Sequence, residues 1–222
     1  MTDEVTGEGF LEAEGVDGWA VVSDGACAFY RAGSFAESAR FVQAMSELPG
    51  LAGHPPDVDL RPDGVTVRLL TAGDDHYGMS TLDVDIARLI SSLARDLGLR
   101  ADPSAVQSVL VVTGAPDIAA VMPFWQAALG YDRRPDSPDE DLVDPRNRCP
   151  AFWFEQMETP RSDGGGAIHL GIWMPYEQAE ARVAAALAAG GHLVRDDFAP
   201  AWWTLADAAG NEADIATIKH RG

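Results

Sequence analysis

Three things are scarce in this chain of 222 residues: cysteine, positive charge and long apolar runs. Only Cys27 and Cys149 are present, far apart and outside any CxxC spacing. That argues against a disulfide framework or a thiolate zinc site and fits a reducing compartment. Lys and Arg number 16 against 35 Asp and Glu, for a formal net charge of −19 and an isoelectric point of about 4.4. A surface that grips phosphate needs clustered cations, so the composition argues against nucleic acid and anionic membranes as partners and favours a small neutral or cationic molecule. No apolar run approaches the roughly 20 residues of a membrane span, and the N-terminus MTDEVTGEGF is acidic where a signal peptide is basic. The expectation is a soluble cytoplasmic protein.

What is present suits two α+β domains, since the chain is long enough for two separate cores. Residues 1–15 are rich in Gly, Glu and Asp and read as a flexible lead-in or a short surface helix. Over 16–100 the order is strand, strand, helix, strand, strand, helix, which gives a small antiparallel sheet covered on one face by two helices. GWAVVSDGACAFYR reads as a hairpin around a DG turn. Ser34 and Glu37 form a capping box for a helix from Phe35 to Leu48 whose apolar stripe is Phe35, Ala39, Val42 and Met45. RPDG joins two further strands, and Ser80 opens a helix with Leu82, Ile86, Leu89, Ile90, Leu93 and Leu97 on one face, stopped by Gly98. Residues 101–105 read as a linker. From 106 to 222 the pattern of strand, helix and strands runs twice, over Val106 to Met157 and over Ala167 to Ile218, without close identity.

The run GHPPDVDLRPDGVTVRLLT followed by GMSTLDVDIARLI resembles the pterin carbinolamine dehydratases, over Gly18 to Leu97. That family has a His-His-Pro-Asp motif, a valine-rich strand ending in Thr-His, and a Leu-Thr/Ser-x-x-Asp motif that opens the last helix. The matching positions here are His54-Pro55-Pro56-Asp57, Thr71-Ala72 and Met79-Ser80-Thr81-Leu82-Asp83. The resemblance implies dehydration of a 4a-hydroxytetrahydropterin, a hydro-lyase reaction with no cofactor, in which imidazoles move protons near neutral pH. It places the catalytic residues at His54, His76 and Asp83, with Pro55 and Ala72 standing where the family has two further histidines. Each residue also has a plainer reading: His54 packs against the turn before Pro55, His76 is a solvated turn residue, and Asp83 complements a helix dipole.

PFWQAALGY, FWFEQM, AIHLGIWMP and AGGHLVRDDFAPAWWTLADAAGNEADIA are similar to the glyoxalase-like branch of the vicinal oxygen chelate superfamily. That resemblance implies paired β-α-β-β-β modules folded around a cup, able to hold a divalent metal and a substrate with adjacent oxygens. It maps metal ligands onto Glu155, His169 and Glu212, a donor set suited to a divalent first-row ion with open positions. The first strand, VQSVLVVTG, carries no His or Glu, and Gln107 is the nearest polar candidate. The plainer readings are a strand histidine satisfied by a neighbour, a solvent-facing Glu155 and a Glu212 that caps the GN turn. Trp125, Trp153, Trp173, Trp202 and Trp203 read as core and cup lining. Three functions stay open: a dehydratase with a fused second domain, a metal-dependent enzyme of the cup, and a small-ligand binder with neither activity. Both resemblances imply a homodimer.

Overall fold

A computed structural model of the chain describes residues 3–106, 110–157, 169–173 and 176–216. It divides into two compact units, Met1–Val109 and Leu110–Gly222. Among the described residues no helix is long and apolar enough to cross a membrane.

The first unit runs β1 (Glu4–Val5), α1 (Gly7–Leu11), β2 (Ala20–Val22), β3 (Gly25–Arg31), α2 (Phe35–Ser46), β4 (Asp57–Arg61), β5 (Gly64–Leu69), β6 (Thr71–Ala72), β7 (Tyr77–Ser80), α3 (Thr81–Asp96) and β8 (Arg100–Ala101). The main sheet has the order β2-β3-β5-β4, with β8 pairing β3, and every pairing is antiparallel. Alternation along β3 and β5 sends Ala26, Ala28, Tyr30, Val65, Val67 and Leu69 to one face, where Phe41 and Met45 of α2 and Ile86 and Ile90 of α3 join them in a single core. A second sheet, β1-β7-β6, lies at the start of α3. It matters for function because it carries Thr71 and Ser80.

Several local expectations shift. Residues 3–15 are ordered by β1, which pairs with β7, and by the short helix α1, whose Phe10 is fully buried in the core rather than on the surface. The expected linker begins as β8, a strand of the main sheet. Val22 pairs with Gly25, so the hairpin turns on Ser23-Asp24 and the glycine belongs to the strand. In α2, Ser34 accepts the Glu37 N–H, but the Glu37 carboxylate reaches back to the N–H of Gly33 at 2.6 Å, one residue beyond the usual capping-box partner. Phe35 is 56% exposed; the buried stripe is Ser38, Phe41 and Met45. In α3 the buried stripe is Val84, Ala87, Ser91 and Ala94 with Ile86 and Ile90, while Leu97 is exposed. Leu82 and Leu93 pack at the margin of that stripe, partly buried.

The second unit runs β9 (Leu110–Ala115), α4 (Ile118–Leu129), β10 (Asp132–Arg133), β11 (Asp141–Val143), β12 (Ala151–Gln156), β13 (His169–Trp173), α5 (Tyr176–Ala188), β14 (His192–Arg195), β15 (Trp202–Ala206) and β16 (Glu212–Ala216). Its sheets have the orders β10-β11-β12-β9 and β14-β15-β16-β13, so each module is β-α-β-β-β with its first strand parallel to its last. This is the repeated architecture expected of a glyoxalase-like cup. Helix α4 ends at Gly130, whose φ of 71° is the left-handed C-terminal stop. Phe124, Trp125, Phe152, Phe154, Leu205 and Ile215 share one core drawn from both modules.

The repeat extends to the turns before β12 and β16. Asp144 accepts backbone N–H groups from Arg146, Arg148 and Cys149, and Asp207 accepts those of Ala209 and Asn211. In both turns the third residue after the aspartate, Asn147 or Gly210, has positive φ. Asp207 also takes the indole N–H of Trp125 at 3.0 Å, which fastens the helix of one module to the turn of the other. Burial pushes the Asp144 carboxyl up, but the three N–H bonds and Arg148 outweigh it and hold the group below its ordinary value of 3.8.

Candidate functional site

His54 lies in the loop between α2 and β4, its backbone N–H bonded to the Leu51 carbonyl. Its ring Nε2 stands 2.6 Å from Asp83 Oδ1. Asp83 is the third residue of α3, and its side chain is fully buried where that of His54 is 15% exposed. The other carboxylate oxygen, Oδ2, accepts the Thr71 hydroxyl at 2.6 Å, the Ser80 N–H at 2.7 Å and the Ser80 hydroxyl at 3.0 Å. The two hydroxyls lie 2.8 Å apart.

Asp83 therefore does two things that the sequence offered as alternatives. It closes the capping box of α3 with Ser80, and it holds the ring of a histidine 29 positions earlier in the chain. A carboxylate facing Nε2 selects the tautomer that carries its proton there. Nδ1, which has no hydrogen-bond partner among the described residues, is then the basic nitrogen. A buried carboxylate behind a part-exposed imidazole is an arrangement suited to proton transfer.

His76 does not join this pair. It lies in the β6–β7 turn, with Nδ1 4.0 Å from Glu4 Oε1, because the pairing of β1 with β7 brings Glu4 alongside. Its Nε2 is buried without a hydrogen-bond partner among the described residues. Ala72 pairs with Tyr77, and both Ala72 and Pro55 are exposed. Thr71 and Ser80 are the members of the cluster that sequence reasoning missed. The Ser80-x-x-Asp83 spacing signalled a cap, but nothing in it signalled a histidine partner.

In the second unit, Phe152 and Phe154 of β12 enter the core, so Trp153 and Glu155 face the other way, and Glu155 is exposed. Its register partner on β9 is Gly114; Leu110 and Val112 share that face. None of these three has a ligating side chain, and Gln107 lies outside the described residues. On β16, Ala213 and Ile215 are buried, which leaves Glu212 and Asp214 on the opposite face, half-buried. Asp214 accepts the Thr204 hydroxyl at 2.6 Å. His169 is the register partner of Glu212, and its side chain lies outside the described ones. Counted from the first rung of each module, Glu212 corresponds to Ala151 and Glu155 to Ala216, so the two glutamates are not repeat equivalents. Among the described residues no three His, Cys, Asp or Glu side chains stand together in a group that could hold a metal ion. Of the tryptophans, Trp125 is fully buried, Trp153 is half-buried, Trp203 packs against the core, and Trp202 stacks on Phe198 at 4.2 Å; the side chain of Trp173 lies outside the described ones.

Comparison with known proteins finds a match for each unit. Residues 3–93 match the profile of pterin 4 alpha carbinolamine dehydratase, and residues 110–216 match that of a glyoxalase-like domain. No curated protein matches the chain. Similar solved structures include hypothetical protein SA1046 from S. aureus, 13% identical, covering 50% of this chain and 94% of that one with a TM-score of 0.40. A glyoxalase-related enzyme from Fulvimarina pelagi is 23% identical, covering 50% and 88% with a TM-score of 0.38. Lactoylglutathione lyase from Agrobacterium tumefaciens is 17% identical, covering 52% and 97% with a TM-score of 0.34.

Proposed function

For a chain that joins a pterin carbinolamine dehydratase domain to a glyoxalase-like domain, we propose that the first domain dehydrates a 4a-hydroxytetrahydropterin and that His54 carries the proton. The observation behind this reading is the 2.6 Å contact between His54 Nε2 and the buried Asp83 carboxylate. In the reaction the C4a–O bond breaks, a ring nitrogen gives up its proton, and the hydroxyl leaves as water. The Nδ1 of His54 takes the nitrogen-bound proton and, in the charged form of the ring, hands it to the leaving hydroxyl. Asp83, 2.6 Å from Nε2, stabilises that charged ring. One imidazole then serves both transfers, in a site where Pro55 and Ala72 supply no donor. His54→Ala should lower turnover of a 4a-hydroxytetrahydropterin by about 100-fold or more, the usual contribution of a positioned acid or base. No turnover by the pure wild-type chain would sink the proposal.

A second reading places a divalent ion in the glyoxalase-like domain, held by His169 and Glu212 with Glu155. The side-by-side register of His169 and Glu212 supports it, and two carboxylates with one imidazole suit a first-row ion. Bound there, such an ion would polarise adjacent oxygens of a small substrate. Metal analysis of the purified protein and of His169→Ala tests it: a stoichiometric ion lost in the variant is expected, and no ion, or an ion retained by the variant, refutes it. A homodimer is part of the same proposal, with light scattering as its test.

A further inference from the structure

The carboxylate between His54 and α3 is held asymmetrically. Among the described residues Oδ1 hydrogen-bonds the imidazole alone, whereas Oδ2 gathers the Thr71 hydroxyl, the Ser80 N–H and the Ser80 hydroxyl. The Ser80 contacts are internal to the helix start and would form whichever way the carboxylate turned about its Cβ–Cγ bond, because a capping residue needs only one oxygen over the N-terminal turn. Thr71 is different. It comes from another element, β6, twelve positions earlier, and its 2.6 Å bond is the shortest that Oδ2 makes. Its own hydroxyl oxygen also lies 2.8 Å from Ser80 Oγ, so the one Ser80 hydroxyl proton has two acceptors within reach, Thr71 Oγ1 and Asp83 Oδ2, while the Thr71 proton goes to the carboxylate. Chains of this kind strengthen each bond in them.

Resting on the dehydratase reading, we propose that Thr71 is a positioning residue: by fixing Oδ2, it aims Oδ1 at His54 Nε2 and keeps Nδ1 as the proton-accepting nitrogen. Among the described residues Thr71 makes no hydrogen bond to the imidazole; its hydroxyl bonds Asp83 and lies beside Ser80. It acts through Asp83. With the second and third family histidines absent, the tautomer of one ring decides whether the site has a base at all, so the group that sets the carboxylate's angle sets the chemistry.

The test compares Thr71→Val, which keeps the shape and removes the hydroxyl, with Thr71→Ser, which keeps the hydroxyl. Ring 15N shifts of His54 in the full chain report the tautomer without any substrate, and turnover of a 4a-hydroxytetrahydropterin reports the consequence. Thr71→Val should show both His54 tautomers in exchange and lose about tenfold in kcat, the equivalent of one charge-assisted hydrogen bond, with KM changed less than about twofold; Thr71→Ser should restore both. A valine variant with wild-type ring shifts and wild-type kcat overturns the inference, as does a serine variant that behaves like valine. If the valine variant does not fold, Thr71→Ala takes its place with the same expected outcomes. Should the wild type show no turnover, the dehydratase reading fails by itself, and the ring shifts still decide whether Thr71 sets the tautomer.

Discussion

Replacing Asp207 by alanine should destabilise the chain more than any other single change in the glyoxalase-like domain's turns, and the size of the effect can be worked from the contacts. The side chain accepts four hydrogen bonds: Trp125 Nε1–H at 3.0 Å, the Asn211 amide at 2.8 Å, and the backbone N–H groups of Ala209 and Asn211 at 2.9 and 2.8 Å. Asp207 is fully buried and Asn211 nearly so, whereas Ala208 and Ala209 are exposed. In Asp207→Ala, water can reach Ala209 N–H, but the Trp125 indole and the Asn211 N–H are left buried without an acceptor. Each such donor costs about 1–3 kcal/mol. Relief from burying a carboxylate offsets part of that, so a net loss of about 3–4 kcal/mol is expected, a large fraction of the 5–15 kcal/mol typical of a domain. Trp125→Phe removes one donor and leaves the acceptor, and should cost about 1–2 kcal/mol. Urea unfolding followed by far-ultraviolet circular dichroism measures both. An alanine variant within about 1 kcal/mol of wild type, the low end for a single unpaired donor, would refute the idea that Asp207 fastens the two modules.

The paired turn in the first module makes a pH prediction. Because the Asp144 carboxyl is held below 3.8 in the folded chain, its contribution is fully present above that pH and is lost as the pH falls through the lower folded value. Asp144→Asn should therefore be less stable than wild type at neutral pH, with the gap in unfolding midpoint closing below pH 3.8; a gap independent of pH would contradict this. The two cysteines should differ as sharply. Burial pushes the Cys27 thiol up to about 11, Arg68 pulling it down and Asp57 adding to the rise, whereas Cys149 is exposed. A thiol reagent at pH 8 should label one cysteine in the folded chain and both in denaturant; two fast equivalents before denaturation would show that Cys27 is accessible.

The candidate site shows where reading a sequence stops. His54, Thr71, Ser80 and Asp83 were visible as residues, and two of them as a helix cap, but spacing in the chain says nothing about which side chain a loop histidine will meet. His76 immediately precedes β7 and, on spacing alone, is equally placed to help. Its actual neighbour, Glu4, comes from a stretch that composition assigned to a loose N-terminus. Phe10 gave the missing signal: a lone aromatic residue among Gly and Glu, fully buried once α1 forms. Phe35 and Leu97 erred in the opposite direction. Helical periodicity gave them an inward face, but α2 buries Ser38, Phe41 and Met45, and α3 buries Val84, Ala87, Ser91 and Ala94 with Ile86 and Ile90.

By itself the sequence determined the order and kind of the longer elements, because helix caps, turn residues and apolar alternation are local and act within a few positions; β1 and β8, two-residue strands defined by their partners β7 and β3, were not legible in it. The Ile118–Leu129 helix, the RPDG turn and the doubled strand-helix-strands pattern all follow from such signals. Only the tertiary structure decided which polar groups meet: Asp83 with His54, Asp207 with Trp125, His169 level with Glu212, and His76 turned toward Glu4. The reason is physical. A buried carboxylate takes whatever donors the packing of distant strands and loops brings within 3 Å, and that packing is fixed by the whole core rather than by the residues beside it.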